Sequence, residues 1–269
     1  NNTDMEVVLI LEYCLQNLFK IIESRKKKQE SGLPEPFILK ILYDISKALE
    51  FMHEMDPPII HRDVRVNNIL LGSDGNYKLC NFGTWTKKSY ERVTEDDISR
   101  VQTDIVNSTY SFNRAPEQLD LYSGYPINQK VDVWSLGVVL YNMMYFKMPF
   151  TRENKSNQVD GIVSYPQSDK YSIQLQKLLK KLFEVNPKNR PSTKEIFRVV
   201  ENMQSKTSVT NSEQNAGRHN SYQYEENKKG SDDSFEDITH KYITAQEENE
   251  FDDLKYGQIG PIDDSEKDH

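Results

Sequence analysis

Apolar positions gather in a few stretches of this chain, and their spacing predicts most of its secondary structure. Val7 to Leu11 is a compact run of β-branched and leucine side chains, which predicts one buried strand leading into Glu12-Tyr13-Cys14. Leu15 to Arg25 predicts a short helix ending in Arg25-Lys26-Lys27-Lys28, where the helix dipole favours cations. That charge run reads as a solvated helix end, with a nuclear-import or phosphate-binding patch as the alternative. After Pro34 and Pro36, the residues Ile38, Ile41, Leu42, Ile45, Leu49 and Met52 recur at the spacing of a long amphipathic helix that ends near Asp56-Pro57-Pro58. Asn68 to Leu71 and Tyr77 to Cys80, joined through Ser73-Asp74-Gly75-Asn76, predict a small hairpin. Val131 to Phe146 is apolar nearly all round, as in a helix at the centre of a domain, and Asp132 is placed to cap its start. Ile173 to Leu182 predicts another helix, stopped by Asn186-Pro187, and Thr193 to Met203 predicts the last.

Between these stretches lie two polar regions. Thr84 to Asn113 is rich in Ser, Thr and Tyr and too long for an ordinary connection, which marks it as a candidate functional segment. From Ser205 onward 7 Lys and Arg stand against 16 Asp and Glu, whereas the whole 269-residue chain has a net charge of −8. This tail has too little apolar surface to offset the entropy of folding, and disorder is the expectation for it. The acidic balance argues against a dedicated nucleic-acid binder, which would need clustered Lys and Arg. Two cysteines, Cys14 and Cys80, make neither a disulfide framework nor a cysteine-rich zinc site, which suits a reducing cytoplasm. No apolar run approaches the roughly 20 residues of a membrane span, so no transmembrane segment is expected. The chain begins at Asn1, which suggests a fragment or a processed product.

The chemistry is concentrated in His61-Arg62-Asp63-Val64-Arg65-Val66-Asn67-Asn68, a His-Arg-Asp run with an asparagine five places after the aspartate. A carboxylate on such a loop can accept the proton of an incoming hydroxyl, and the later amide oxygen can help to hold magnesium on phosphates. Asn81-Phe82-Gly83, Ala115-Pro116-Glu117 and Asp132-Val133-Trp134-Ser135-Leu136-Gly137 follow in order. On these motifs the chain resembles eukaryotic protein kinases from about Glu6 to Met203. The resemblance implies a mainly α fold, the C-terminal lobe of a kinase with a small β-hairpin. It implies a partial kinase domain over 1–204 and an acidic tail over 205–269. It further implies ATP and Mg2+ as cofactors, a protein substrate or partner, and Asp63, Arg65 and Asn68 as catalytic residues. Asn68 and Asn81 would face the metal. Glu12 and Cys14 would lie in the hinge that bonds adenine through main-chain groups, with Leu70 beneath the ring, although Leu70 reads equally as a core leucine. His61, Arg62, Phe82 and Gly83 would frame the site, Asp132 would accept backbone N–H bonds from the catalytic loop, and Glu117 would pair with Arg190. A narrower resemblance, to the numb-associated serine/threonine kinases, rests on Leu11 to Cys14, Glu95-Asp96-Asp97-Ile98, Leu121-Tyr122-Ser123-Gly124 and Asp160-Gly161-Ile162. It implies endocytic adaptors as partners.

Three departures from the pattern bear on activity. Asn81 replaces the aspartate expected to bind magnesium, and a neutral amide is a poorer partner for a hard dication. Only thirteen residues precede Cys14, so the N-terminal lobe is expected to be largely missing, with its glycine-rich loop and strand lysine. Arg65 stands where serine/threonine kinases usually have lysine, keeping the charge but not the compact ammonium. Two functions of different classes follow: a serine/threonine kinase, or a pseudokinase acting as a protein-binding module. The hydroxyls between Ser89 and Ser111 read either as phosphorylation sites facing Arg62 or as a solvated loop. The oligomeric state is not legible.

Overall fold

The computed structural model describes residues 10–167 and 170–216, with side chains described as far as Lys206. The first strand, β1 (Cys14–Asn17), leads directly into helix α1 (Leu18–Lys27). Asn17 ends the strand and caps the helix, its Oδ1 accepting from the Lys20 amide at 2.9 Å. Leu18, Ile21, Ile22 and Arg25 form the buried face of α1, so the first cation of the basic run is structural. Arg25 donates to Glu30 and lies over the Phe37 ring. Helix α2 (Glu35–His53) follows Pro34 at its N-cap and carries Pro36 in its first turn, where no helical amide is needed, and buries Ile38, Ile41, Leu42, Ile45, Leu49 and Met52.

Strands β2 (Ile69–Gly72) and β3 (Tyr77–Leu79) form the expected hairpin. Asp74 closes its turn by accepting from the Asn76 amide and side chain, which lowers its pKa to about 2. Strand β1 adds to the hairpin, giving an antiparallel sheet in the order β1-β2-β3. Ile69 and Leu71 of β2 are buried, whereas Leu70, on the opposite face by strand alternation, is only half-buried.

The remaining helices are α3 (Ile98–Ser108), α4 (Pro116–Leu119), α5 (Lys130–Tyr145), α6 (Lys155–Asp160), α7 (Ile173–Leu182) and α8 (Thr193–Ala216). Helix α5 is buried continuously from Val131 to Met144. On it, Trp134 stacks with Phe150 at 5.6 Å between centroids and meets Phe183 edge-on at 5.0 Å. Helix α7 buries Leu175, Leu178, Leu179 and Leu182, and α8 packs along α2.

The structure corrects several sequence expectations. The strand expected over Val7 to Leu11 falls mostly outside the described residues, and Ile10 and Leu11 are exposed and in no strand. The helix expected from Leu15 starts three residues later, because Cys14 to Asn17 pair with Leu70 to Gly72 instead. Thr84 to Asn113 contains α3, held by Val101 and Ile105. Asp132 does not cap α5; Gln129 occupies that position and makes no side-chain cap bond. Helix α8 runs past Met203 to Ala216, and the rest of the acidic tail lies outside the described residues. Among the described residues, no helix is long and apolar enough to cross a membrane.

Candidate active site

The His61–Asn68 loop crosses the C-terminal end of α2 and enters β2, and three anchors fix its path. A bridge pairs Ile60 with Thr86, with amide bonds of 2.8 and 2.9 Å in the two directions. From below, the Asp132 carboxylate accepts from the His61 and Arg62 amides, both at 2.8 Å, and contacts His53 Nε2 at 2.9 Å. Asn113 Nδ2 donates to the Val64 carbonyl at 2.8 Å, and Ser135 on α5 donates to the Asn113 carbonyl. Asp132 is fully buried. Burial pushes its pKa up, but the hydrogen bond and charge of His53, and then His61, outweigh that and hold it below the ordinary value. The two bonds to Arg62 and His61 hold Arg62 in the left-handed region, at φ 70°.

The His61 ring sets the next layer. Its Nδ1 accepts from the Asp63 amide at 3.2 Å, which leaves Nε2 to donate to the Cys80 carbonyl at 3.0 Å. Both bonds suit the neutral ring, and burial, the largest cause, lowers its pKa. Phe82 meets the same ring edge-on at 5.2 Å. A methyl at Gly83 would meet only Asn81 Oδ1, at 3.8 Å, so no contact demands glycine there.

Above this layer Asp63, Arg65, Asn68 and Asn81 come together. Asp63 is 7% exposed. Asn68 Nδ2 donates to its Oδ2 at 2.6 Å and to its carbonyl at 2.8 Å, and Asn81 Nδ2 donates to the same Oδ2 at 2.8 Å. Arg65 Nε lies 3.0 Å from Oδ1 without hydrogen-bond alignment, and its guanidinium sits over the Tyr110 ring. A cavity of about 410 Å³ opens beside Arg65, bounded by Val66, Asn67, Tyr110, Phe146 and Lys147. As a site for Mg2+ the cluster fits poorly. Its one carboxylate is engaged by two amide N–H groups and faces a guanidinium, and the two amides turn their nitrogens toward that carboxylate.

Other expected residues lie elsewhere. Glu117 and Arg190 form a fully buried bidentate pair with both bonds at 2.7 Å. Glu12, Cys14 and Leu70 sit in or beside the sheet. Glu12 pairs with Lys78, and Cys14 opposes Gly72. Leu70 is not the core leucine of its strand. Sequence reasoning missed the partner of Arg62: its guanidinium bonds Asp104 on α3 at 2.7 Å and also donates to the Thr84 carbonyl. Only the acidic residue within a polar segment hinted at that contact.

Comparison with known proteins points to one family. The protein kinase domain family model matches residues 1–200. An actin-regulating kinase of Saccharomyces cerevisiae is 32% identical over 206 residues, covering 77% of this chain and 25% of that protein. The serine/threonine-protein kinase ppk30 of Schizosaccharomyces pombe is 32% identical over 199 residues, covering 74% of this chain and 21% of that protein. A probable serine/threonine-protein kinase of Dictyostelium discoideum is 34% identical over 199 residues, covering 73% and 17%. The chain thus spans about a quarter or less of the length of these relatives.

Proposed function

The chain belongs to the protein kinase family, and from that premise we propose that the native protein transfers the γ-phosphoryl group of ATP to serine or threonine hydroxyls of other proteins. The observation that carries this reading is the Asp63 carboxylate held beside Arg65, which itself borders a cavity. Asp63 would accept the hydroxyl proton of the incoming substrate, and Arg65 would offset charge on the transferring phosphate. Asn68 would keep Asp63 in place through its two hydrogen bonds to that residue. Adenine would lie against the β1–β2 face, with Leu70 below it and main-chain groups of Glu12 and Cys14 alongside. The half-buried position of Leu70 supports that assignment over a core role.

The narrower resemblance to numb-associated kinases supports endocytic adaptors as substrates, and the free cysteines Cys14 and Cys80 suit the cytoplasm as the place of action. Normal cargo uptake after loss of the full-length protein would count against the adaptor assignment. Residues 1–204 would then be the kinase portion and the acidic tail a separate region.

One observation favours a second reading, a pseudokinase that binds partners without turnover. Asn81 occupies the metal-binding position of the family and spends its amide on Asp63. Phosphate transfer by the unaltered full-length protein that vanishes in Asp63→Asn supports the kinase. Transfer that appears only in Asn81→Asp supports the pseudokinase.

A further inference from the structure

Asn81 is unusual in both backbone and side chain. Its φ is 67°, in a region that most side chains avoid and asparagine tolerates. From there its Nδ2 reaches Asp63 Oδ2, the same oxygen that Asn68 Nδ2 bonds. A carboxylate only accepts hydrogen bonds, so both amide nitrogens must face it. With Arg65 on the other carboxylate oxygen, Asp63 has donors or positive charge on both sides, all from this chain. An aspartate at position 81 would do the opposite. Two carboxylates at hydrogen-bond distance repel, and a cation between them relieves the repulsion.

We propose that Asn81 is a positioning residue whose side-chain amide stands in for a divalent ion, so that the Asp63–Asn68 cluster is assembled without metal. The inference concerns the protein and Mg2+ alone. It therefore holds under either reading of function, and its failure would leave both open. Its chemical content is simple: position 81 decides whether the cluster is closed by a neutral N–H donor or by a dication bridging two carboxylates. The disagreement between this donor set and Mg2+ is the observation it explains.

The test is thermal denaturation of the full chain and of Asn81→Asp, each in MgCl2 and in KCl of matched ionic strength. The matched salt separates specific binding from general screening. The unaltered chain should melt at the same temperature in both salts. Asn81→Asp should melt lower in KCl and recover by about 2–4 °C or more in MgCl2. A Mg2+-specific rise in the unaltered chain equal to that of the variant would overturn the proposal, as would a variant indifferent to both salts. If Asn81→Asp does not fold, titration of MgCl2 into the unaltered chain decides, read on the side-chain amide NMR signals of Asn68 and Asn81. Unmoved signals support the proposal, and a saturating shift of both refutes it.

Discussion

Two charged clusters in this molecule are built on different terms. Around Arg190 every guanidinium donor is used: Nε on the Glu184 carbonyl, Nη1 on Glu117 and the Lys130 carbonyl, Nη2 on Glu117 and the Val185 carbonyl. The same guanidinium lies 5.1 Å over the Trp134 ring, and both partners of the ion pair are out of solvent. Around Asp63 the carboxylate is satisfied, but Arg65 is not aligned with it and borders a cavity. A fully paired buried charge fixes one conformation, whereas a charge left beside open space is available to a reactant. The first cluster holds shape, and under the proposed function the second would carry the chemistry.

That contrast can be broken at either end. Arg190→Ala strands the Glu117 carboxylate in the interior and takes the donor from three carbonyls, so it should cost about 3–5 kcal/mol in chemical denaturation. Arg190→Lys should recover only part of this, because an ammonium cannot reproduce the bidentate fork. Asp132→Asn keeps the size but can leave one loop amide without its charged acceptor, for a loss of about 2–3 kcal/mol. The Asp132 carboxyl is held below its ordinary value, so its contribution is complete above about pH 4 and disappears as pH falls through its folded value. A pH series of urea midpoints should show the unaltered chain losing this increment on acidification and Asp132→Asn lacking it.

His61 has the opposite chemistry and a smaller effect. Its pKa is lowered mainly by burial, so the unfolded chain binds a proton more readily than the folded one below about pH 6.5. Stability should fall as pH drops through that range. The unaltered chain should lose on the order of 1 kcal/mol more than His61→Gln between about pH 7.5 and 5.5, measured by urea midpoints. The smallest effect belongs to Asp104→Asn, which frees Arg62 from a partly exposed pair. It should change stability by no more than about 1 kcal/mol and lose even that in high salt.

The same two clusters show what a sequence reveals. The Asp63 and Asn68 pair was legible because both residues lie on one short loop with fixed spacing. The Glu117 and Arg190 bond was legible only through family resemblance, since it joins residues far apart in the chain. Helix α5 announced itself by continuous apolarity. Helix α3 did not, because only Val101 and Ile105 are buried in a polar stretch. Strand β1 was hidden for a similar reason: its four residues are all half-buried and its pairing with β2 is non-local. Asp132 shows how a local rule misleads. Its place near a helix start fits a cap, yet its carboxylate reaches back to the His61–Arg62 backbone.

The most direct measurement is transfer of labelled γ-phosphate to a serine/threonine protein substrate, comparing the native full-length protein with Asp63→Asn. A shared melting temperature would show that both are folded. With Asp63 as the base, the unaltered protein should transfer phosphate and the variant should lose about 10²-fold or more. Equal rates in the two proteins would remove Asp63 from the chemistry and contradict it.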